Sequence, residues 1–161
     1  MSTFDIGGPD ANTFRQSDVV EVRRVTNRGK GGRSVFARRD IAKGEVFERV
    51  PVILLPHNQV FGSDEIALRA ARISWYVFEW LKTKRGYVAM SLGYGSIYNH
   101  SDAPNAKYEM EMPDIMTFHA LTDIAQGSEI FINYRGTGEH VTKDIGFNPS
   151  TDAAGPAETQ A

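Results

Sequence analysis

The chain has 161 residues, about one domain's worth, and its 41% apolar and 11% aromatic content is enough for a packed core. A net charge of −2 excludes the strongly basic profile of a dedicated nucleic-acid binder, and the lack of cysteine excludes disulfides and thiolate zinc clusters. Residues 1–17 are rich in Gly, Asp, Asn and Ser and read as a flexible leader. No basic stretch precedes an apolar run there, and no apolar run approaches the roughly 20 residues of a membrane span. A soluble cytoplasmic protein is the expectation.

In chain order the pattern is mostly strand. Val19 to Val25 is β-rich, Ser34 to Ala37 is a short apolar strand, and Asp40 to Glu45 is a turn closed by Lys43-Gly44. Val46 to Leu55 is extended, with Pro51 and Pro56 suggesting an edge or an irregular end. One main helix is expected next, capped by Ser63, favoured at its start by Asp64 and Glu65, and ended by Gly86. Ile66, Ala70, Ile73, Val77 and Leu81 form its apolar stripe. Trp75, Tyr76, Phe78 and Trp80 widen that stripe, either to cover the sheet or to line a substrate groove. Strands resume at Tyr87 to Leu92, Ala106 to Met112, Ile115 to Leu121 and Ser128 to Tyr134, with turns at Pro113-Asp114 and Ala125-Gln126-Gly127. Residues 148–161 are small, polar and Pro-containing, and read as a flexible tail. The fold class is α+β, mainly β.

Charge is unevenly placed. Arg23, Arg24, Arg28, Lys30, Arg33, Arg38, Arg39 and Lys43 crowd one end, while Glu109, Glu111, Asp114, Asp123, Glu129, Glu139 and Asp144 dominate the other. These are either solvated faces of opposite sign or an acidic surface that attracts a basic peptide. Several chemistries fail on spacing. His57, His100, His119 and His140 fall at no recognisable metal-ligand spacing, so no metal site is expected. Gly29-Lys30-Gly31-Gly32 lacks the ending of a phosphate loop, Gly93-Tyr94-Gly95-Ser96 is not a nucleophile elbow, and His100-Ser101-Asp102 are sequence neighbours, which seldom form a triad.

Three segments are left that jointly suggest chemistry. Gly31 and Gly32 let a backbone approach a ligand closely. Asn99-His100-Ser101 can present backbone groups and an amide to a flat heterocycle. Tyr134 ends an apolar strand with a hydroxyl that needs a partner or a task. In this order they resemble a SET domain, the protein-lysine methyltransferase fold, over about Val19 to Tyr134. Gly32-Arg33-Ser34 resembles that family's first Gly-x-Gly motif, with serine in place of the second glycine. Asn99-His100-Ser101, continuing to Pro104-Asn105, matches its N-H-S-x-x-P-N signature, and Glu129 to Tyr134 its final motif.

The resemblance implies a β-clip fold of several short sheets with a C-terminal pseudoknot, and a SET domain over 18–147 with core 19–135 and flank 136–147. It implies that Gly32, Arg33, Ser34, Asn99, His100 and Tyr134 bind S-adenosylmethionine and that Tyr134 is catalytic. The partner implied is a basic protein or peptide presenting a lysine, such as a histone, with no direct nucleic-acid or membrane partner. Tyr98, Phe131, Ile132 and Phe147 are the expected walls of a lysine channel. An apolar channel lowers the pKa of the lysine, near 10.4 in water, so that the amine can attack. The family's arginine before Asn-His-Ser is replaced by Ser96, and Leu92-Gly93-Tyr94-Gly95-Ser96-Ile97-Tyr98 looks more like small stand-alone SET proteins of bacterial type. Ile132 stands where an aromatic residue is common, and a pocket admitting more than one methyl is expected. The rival reading is a non-catalytic β-clip or SET-like binding module.

Overall fold

A computed structural model describes residues 17–25, 32–61, 72–80 and 86–136. Strand β1 (Val20–Arg24) pairs antiparallel with β2 (Arg33–Ala37), Val22 facing Val35. The far edge of β2 takes the chain's late segment: Ala37 N donates to Ser128 O and Ile130 N to Val35 O, each at 2.9 Å. Covered on both edges, β2 buries Ser34, Val35 and Ala37 completely.

Strand β3 (Val46–Pro56) is long and serves two neighbours. Its first half, Val46 to Pro51, pairs with β8 (Ile115–Ala120), and its second, Val52 to Pro56, with β5 (Tyr87–Ser91). Of the two expectations, an edge or an irregular end, the edge is corrected: β3 is the centre of a five-stranded sheet ordered β4-β5-β3-β8-β7, where β4 is Val77–Glu79 and β7 is Ala106–Glu111. Pro51 is tolerated because it stands where β3 changes partners. Its carbonyl accepts Leu92 N at 3.1 Å, and the next residue, Val52, donates to Asp114 O at 2.8 Å.

The main helix is corrected in its second half. A short helix α1 (His57–Phe61) follows β3, and residues 62–71 and 81–85 lie outside the described residues. Arg72–Tyr76 is a 3-10 helix, and Val77–Glu79 is strand β4, paired with β5 through Phe78 opposite Ala89. The helical spacing of Ile73 and Val77 lost to the β preference of the Tyr-Val-Phe run, which finds an open strand edge to join. Phe78 then packs edge-on against Tyr108 and Phe118, with ring centroids 4.8 and 6.5 Å away.

The turns expected at Lys43-Gly44 and Ala125-Gln126-Gly127 are present. Gly44 and Gly127 adopt φ of +84° and +82°, a conformation other residues resist. The bridge between Ile41 and Ile124 holds these two turns together. Beneath them the core gathers Ile41, Trp80, Tyr98, Met116, Phe118 and Ile132. No described helix is long and apolar enough to cross a membrane.

The last segment crosses the molecule. After bonding to β2 through Ile130, it forms β9 (Phe131–Ile132), which runs parallel to β6 (Asn99–His100). It is shorter than the strand expected over Ser128 to Tyr134 because its partners change along its length. Asn105 covers the gap: its Oδ1 accepts Phe131 N at 2.8 Å and its Nδ2 donates to Glu129 O at 2.9 Å. Asn105→Ala removes both bonds and is expected to cost about 2 kcal/mol, read from denaturant midpoints at constant m-value.

Of the two readings of the uneven charge, local pairing favours solvated faces at three of the acids. Glu111 pairs with Arg49 at 3.0 Å, Glu109 lies beside Lys107 and His119, and Asp123 Oδ1 accepts Lys43 N at 2.8 Å. These three acids have local partners, as the acids of solvated faces usually do.

Candidate active site

The site is built where β6, the start of β2 and the segment after β9 meet. Asn99 is nearly buried, and its Nδ2 lies 2.7 Å from Ser34 Oγ, 3.1 Å from Arg33 O and 3.1 Å from Glu129 Oε1. Two amide hydrogens are shared among three acceptors, which ties the Asn-His segment to both neighbouring strands. Ser34, which stands where the family pattern has glycine, is fully buried with its hydroxyl satisfied by Asn99. Just before it, Gly32 has φ +69° and its carbonyl accepts Val25 N at 2.9 Å. A Cβ there would meet Val25 O at 3.3 Å, so glycine makes the turn without crowding that carbonyl. Arg33 is exposed and its guanidinium donates to the Tyr76 hydroxyl at 3.1 Å.

His100 orients Tyr134. The backbone N–H of Tyr134 donates to His100 Nδ1 at 3.1 Å, so the ring proton of the neutral imidazole sits on Nε2, 3.2 Å from Asp102 Oδ1. The two rings lie 5.2 Å apart between centroids. The Tyr134 hydroxyl then donates to the carbonyl of Tyr98 at 2.7 Å. Burial, reinforced by the neighbouring Tyr76, pushes the Tyr134 phenol well above its ordinary pKa and keeps it neutral.

The expected channel walls fare differently. The Tyr98 ring is fully buried in the core, 5.0 Å from the Phe118 centroid, with its hydroxyl on Glu48 Oε2 at 2.6 Å. Only its backbone carbonyl faces Tyr134. Ile132 is fully buried opposite His100, Phe131 is partly buried beside it, and Phe147 lies outside the described residues. Ser96, in the place of the family's arginine, is buried and closes its own turn, with Oγ accepting Ser91 N at 3.2 Å. Glu129, Asn105 and Glu48 were missed as partners of the site. Tyr76 is one of the aromatic residues expected either to cover the sheet or to line a groove. For Asn105 a signal existed, its place in the N-H-S-x-x-P-N run.

The cluster fits a cofactor bearing an ammonium group. A carbonyl, a hydroxyl and a carboxylate gather around the Asn99 amide, acceptors of the kind an ammonium group needs. This geometry and the sequence agree with the SET-domain family model, which matches residues 32–135, more than half of the chain. The chain belongs to that family: it is a SET-type protein-lysine methyltransferase, of the class that uses S-adenosylmethionine.

Among particular relatives, it is 24% identical over 123 residues to the histone-lysine N-methyltransferase of Schizosaccharomyces pombe described as H3 lysine-37 specific, covering 76% of this chain and 75% of that protein. A crystal structure of a candidate histone methyltransferase from Plasmodium falciparum superposes with TM-score 0.55 at 27% identity, over 76% of this chain and 97% of that one. The Chaetomium thermophilum polycomb repressive complex 2 bound to S-adenosylmethionine shares the fold, with TM-score 0.56 and 21% identity. There the match covers 79% of this chain and 16% of the complex's chain.

Proposed function

We propose that the chain methylates a lysine of a histone or another basic protein, with Tyr134 as the catalytic residue. In this reading Gly32, Arg33, Ser34, Asn99 and His100 hold S-adenosylmethionine, and Phe131 and Ile132 border the lysine. The observation that carries it is the Tyr134 hydroxyl, bonded at 2.7 Å to the carbonyl of Tyr98, the residue that leads directly into the strand presenting Asn99 and His100. The form of Leu92 to Tyr98 further supports a compact SET protein of bacterial type, and histone as the substrate is supported by the names of the yeast and Plasmodium relatives.

Bound there, S-adenosylmethionine supplies an electrophilic methyl group on sulfur. The chain's own part is to present an uncharged amine in line with it. Because the Tyr134 hydrogen is committed to Tyr98, the phenol oxygen has lone pairs left to accept an N–H from the lysine. A neutral phenol does this without holding the amine as ammonium, which a carboxylate would do. Alignment of two reactants is worth up to about 7–11 kcal/mol of barrier when the geometry is good.

The direction of the phenol's shift sets the pH dependence. A phenol whose pKa is raised on folding contributes stability that is complete below the unfolded value, about 10, and is lost as pH rises from there toward the folded value. Between pH 7 and 9, therefore, Tyr134 changes neither rate nor stability. Activity is expected to climb with pH across that range as the substrate amine loses its proton, with no falling limb from the enzyme; initial rates at saturating cofactor check this. The function itself is tested by incubating the protein with labelled S-adenosylmethionine, core histones and a cell lysate. Label on lysine is expected, and no labelled lysine in any of these overturns the reading.

A further inference from the structure

Glu48 lies on β3, outside the Gly-Arg-Ser, Asn-His-Ser and C-terminal motifs, yet its carboxylate reaches under the chain that leads into the site. Oε1 accepts the backbone N–H of Tyr94 at 2.5 Å, and Oε2 accepts the Tyr98 hydroxyl at 2.6 Å. These two residues flank the 3-10 helix Gly95–Ile97, so one carboxylate clamps both ends of that turn. The fit is close: a Cβ on Gly93 would fall 2.0 Å from Oε1, so glycine is required above the carboxylate. The Tyr98 ring is held on its other sides by Phe47 edge-on and by Phe118, with centroids at 6.1 and 5.0 Å. The same residue's carbonyl is the acceptor for Tyr134.

Stability alone does not explain an acid here. Burial pushes the Glu48 carboxyl above its ordinary pKa, and among the described residues it has no salt-bridge partner, so its charge is costly in place. What the carboxylate supplies is two acceptors of fixed geometry, stronger than neutral ones. We infer that Glu48 is a positioning residue for methyl transfer, acting through the Tyr98 hydroxyl to fix the carbonyl that orients Tyr134. This rests on the catalytic reading of Tyr134 given above.

The test uses Glu48→Gln and Tyr98→Phe, singly and together, in the full chain and again in a Tyr134→Phe background. Each single change is expected to lower kcat about tenfold with the KM for S-adenosylmethionine unchanged, since a displacement below 1 Å is at stake. The pair together is expected to be no worse than either alone, because both act through one hydrogen bond. In the Tyr134→Phe background neither is expected to reduce the residual rate further. Equal losses in both backgrounds, or losses that merely track the unfolded fraction in thermal melts, overturn the proposal.

A second readout needs no substrate: exchange of the Tyr134 hydroxyl proton by NMR. It is expected to quicken about tenfold in Glu48→Gln and Tyr98→Phe, as for a hydrogen bond weakened by about 1.4 kcal/mol. Unchanged exchange also overturns the proposal. If the unaltered protein labels no lysine, the proposed function fails, and the exchange measurement still decides the role of Glu48.

Discussion

Tyr134→Phe is expected to lower kcat about 100-fold while leaving the KM for S-adenosylmethionine nearly unchanged, because a small misplacement of the acceptor amine costs that much. The variant keeps the aromatic ring against His100, 5.2 Å away, and keeps the backbone bond from residue 134 to His100 Nδ1. It removes one oxygen, the atom 2.7 Å from the Tyr98 carbonyl. The stability cost is then about 1 kcal/mol, the usual worth of one hydrogen bond, and far too small to unfold the enzyme. Steady-state rates with labelled cofactor, set beside thermal melts of the same preparations, separate the two effects. A variant that melts normally but transfers methyl at the original rate would remove Tyr134 from the chemistry.

Why that hydroxyl could be found from sequence, while the atoms around it could not, follows from the range of the contacts involved. The Asn-His-Ser turn and the last strand are local patterns, and their residue types survive being read singly. Tyr134 at the end of Glu129 to Ile132 was legible because an apolar strand ending on a phenol is unusual. Tyr98 was not: its hydroxyl is settled by Glu48, 50 positions upstream. In the sequence Glu45-Val46-Phe47-Glu48-Arg49 that acid looks like any charge on an alternating strand.

Val77 and Phe78 misled for the opposite reason. Their spacing from Ile73 is helical, but an open edge beside Val88 and Ala89 offered strand partners that no local pattern records. Pro51 likewise suggested an edge, since sequence does not show that β3 exchanges β8 for β5 at that residue. The two serine departures illustrate how much the surroundings decide. At Ser34 the hydroxyl is taken by Asn99, and at Ser96 by the backbone of Ser91, so each polar replacement is satisfied where it is buried.

Asn99→Ala should be the most damaging change for both folding and cofactor binding, for one structural reason. Its Nδ2 is shared by Ser34 Oγ, Arg33 O and Glu129 Oε1, which belong to the start of β2 and to the segment entering β9. Truncation leaves the fully buried Ser34 hydroxyl and the Glu129 carboxylate each short of a donor, at an expected cost of about 2–3 kcal/mol. If Asn99 also contacts the cofactor, affinity falls by about 10- to 100-fold, the worth of one or two hydrogen bonds to a charged group. Melting curves read both effects at once. The unaltered protein is expected to gain melting temperature on adding S-adenosylmethionine, by mass action on the folded state. Asn99→Ala should melt lower and need about 10- to 100-fold more cofactor for the same gain. Ser34→Ala provides the contrast, since it removes one partner of the amide and leaves the amide itself, now shared between Arg33 and Glu129. It should melt only slightly lower, by about 1 kcal/mol of stability, and keep its response to cofactor. A Ser34→Ala protein whose response weakens as far as that of Asn99→Ala would mean that the serine hydroxyl, not the amide, is the group that meets the cofactor.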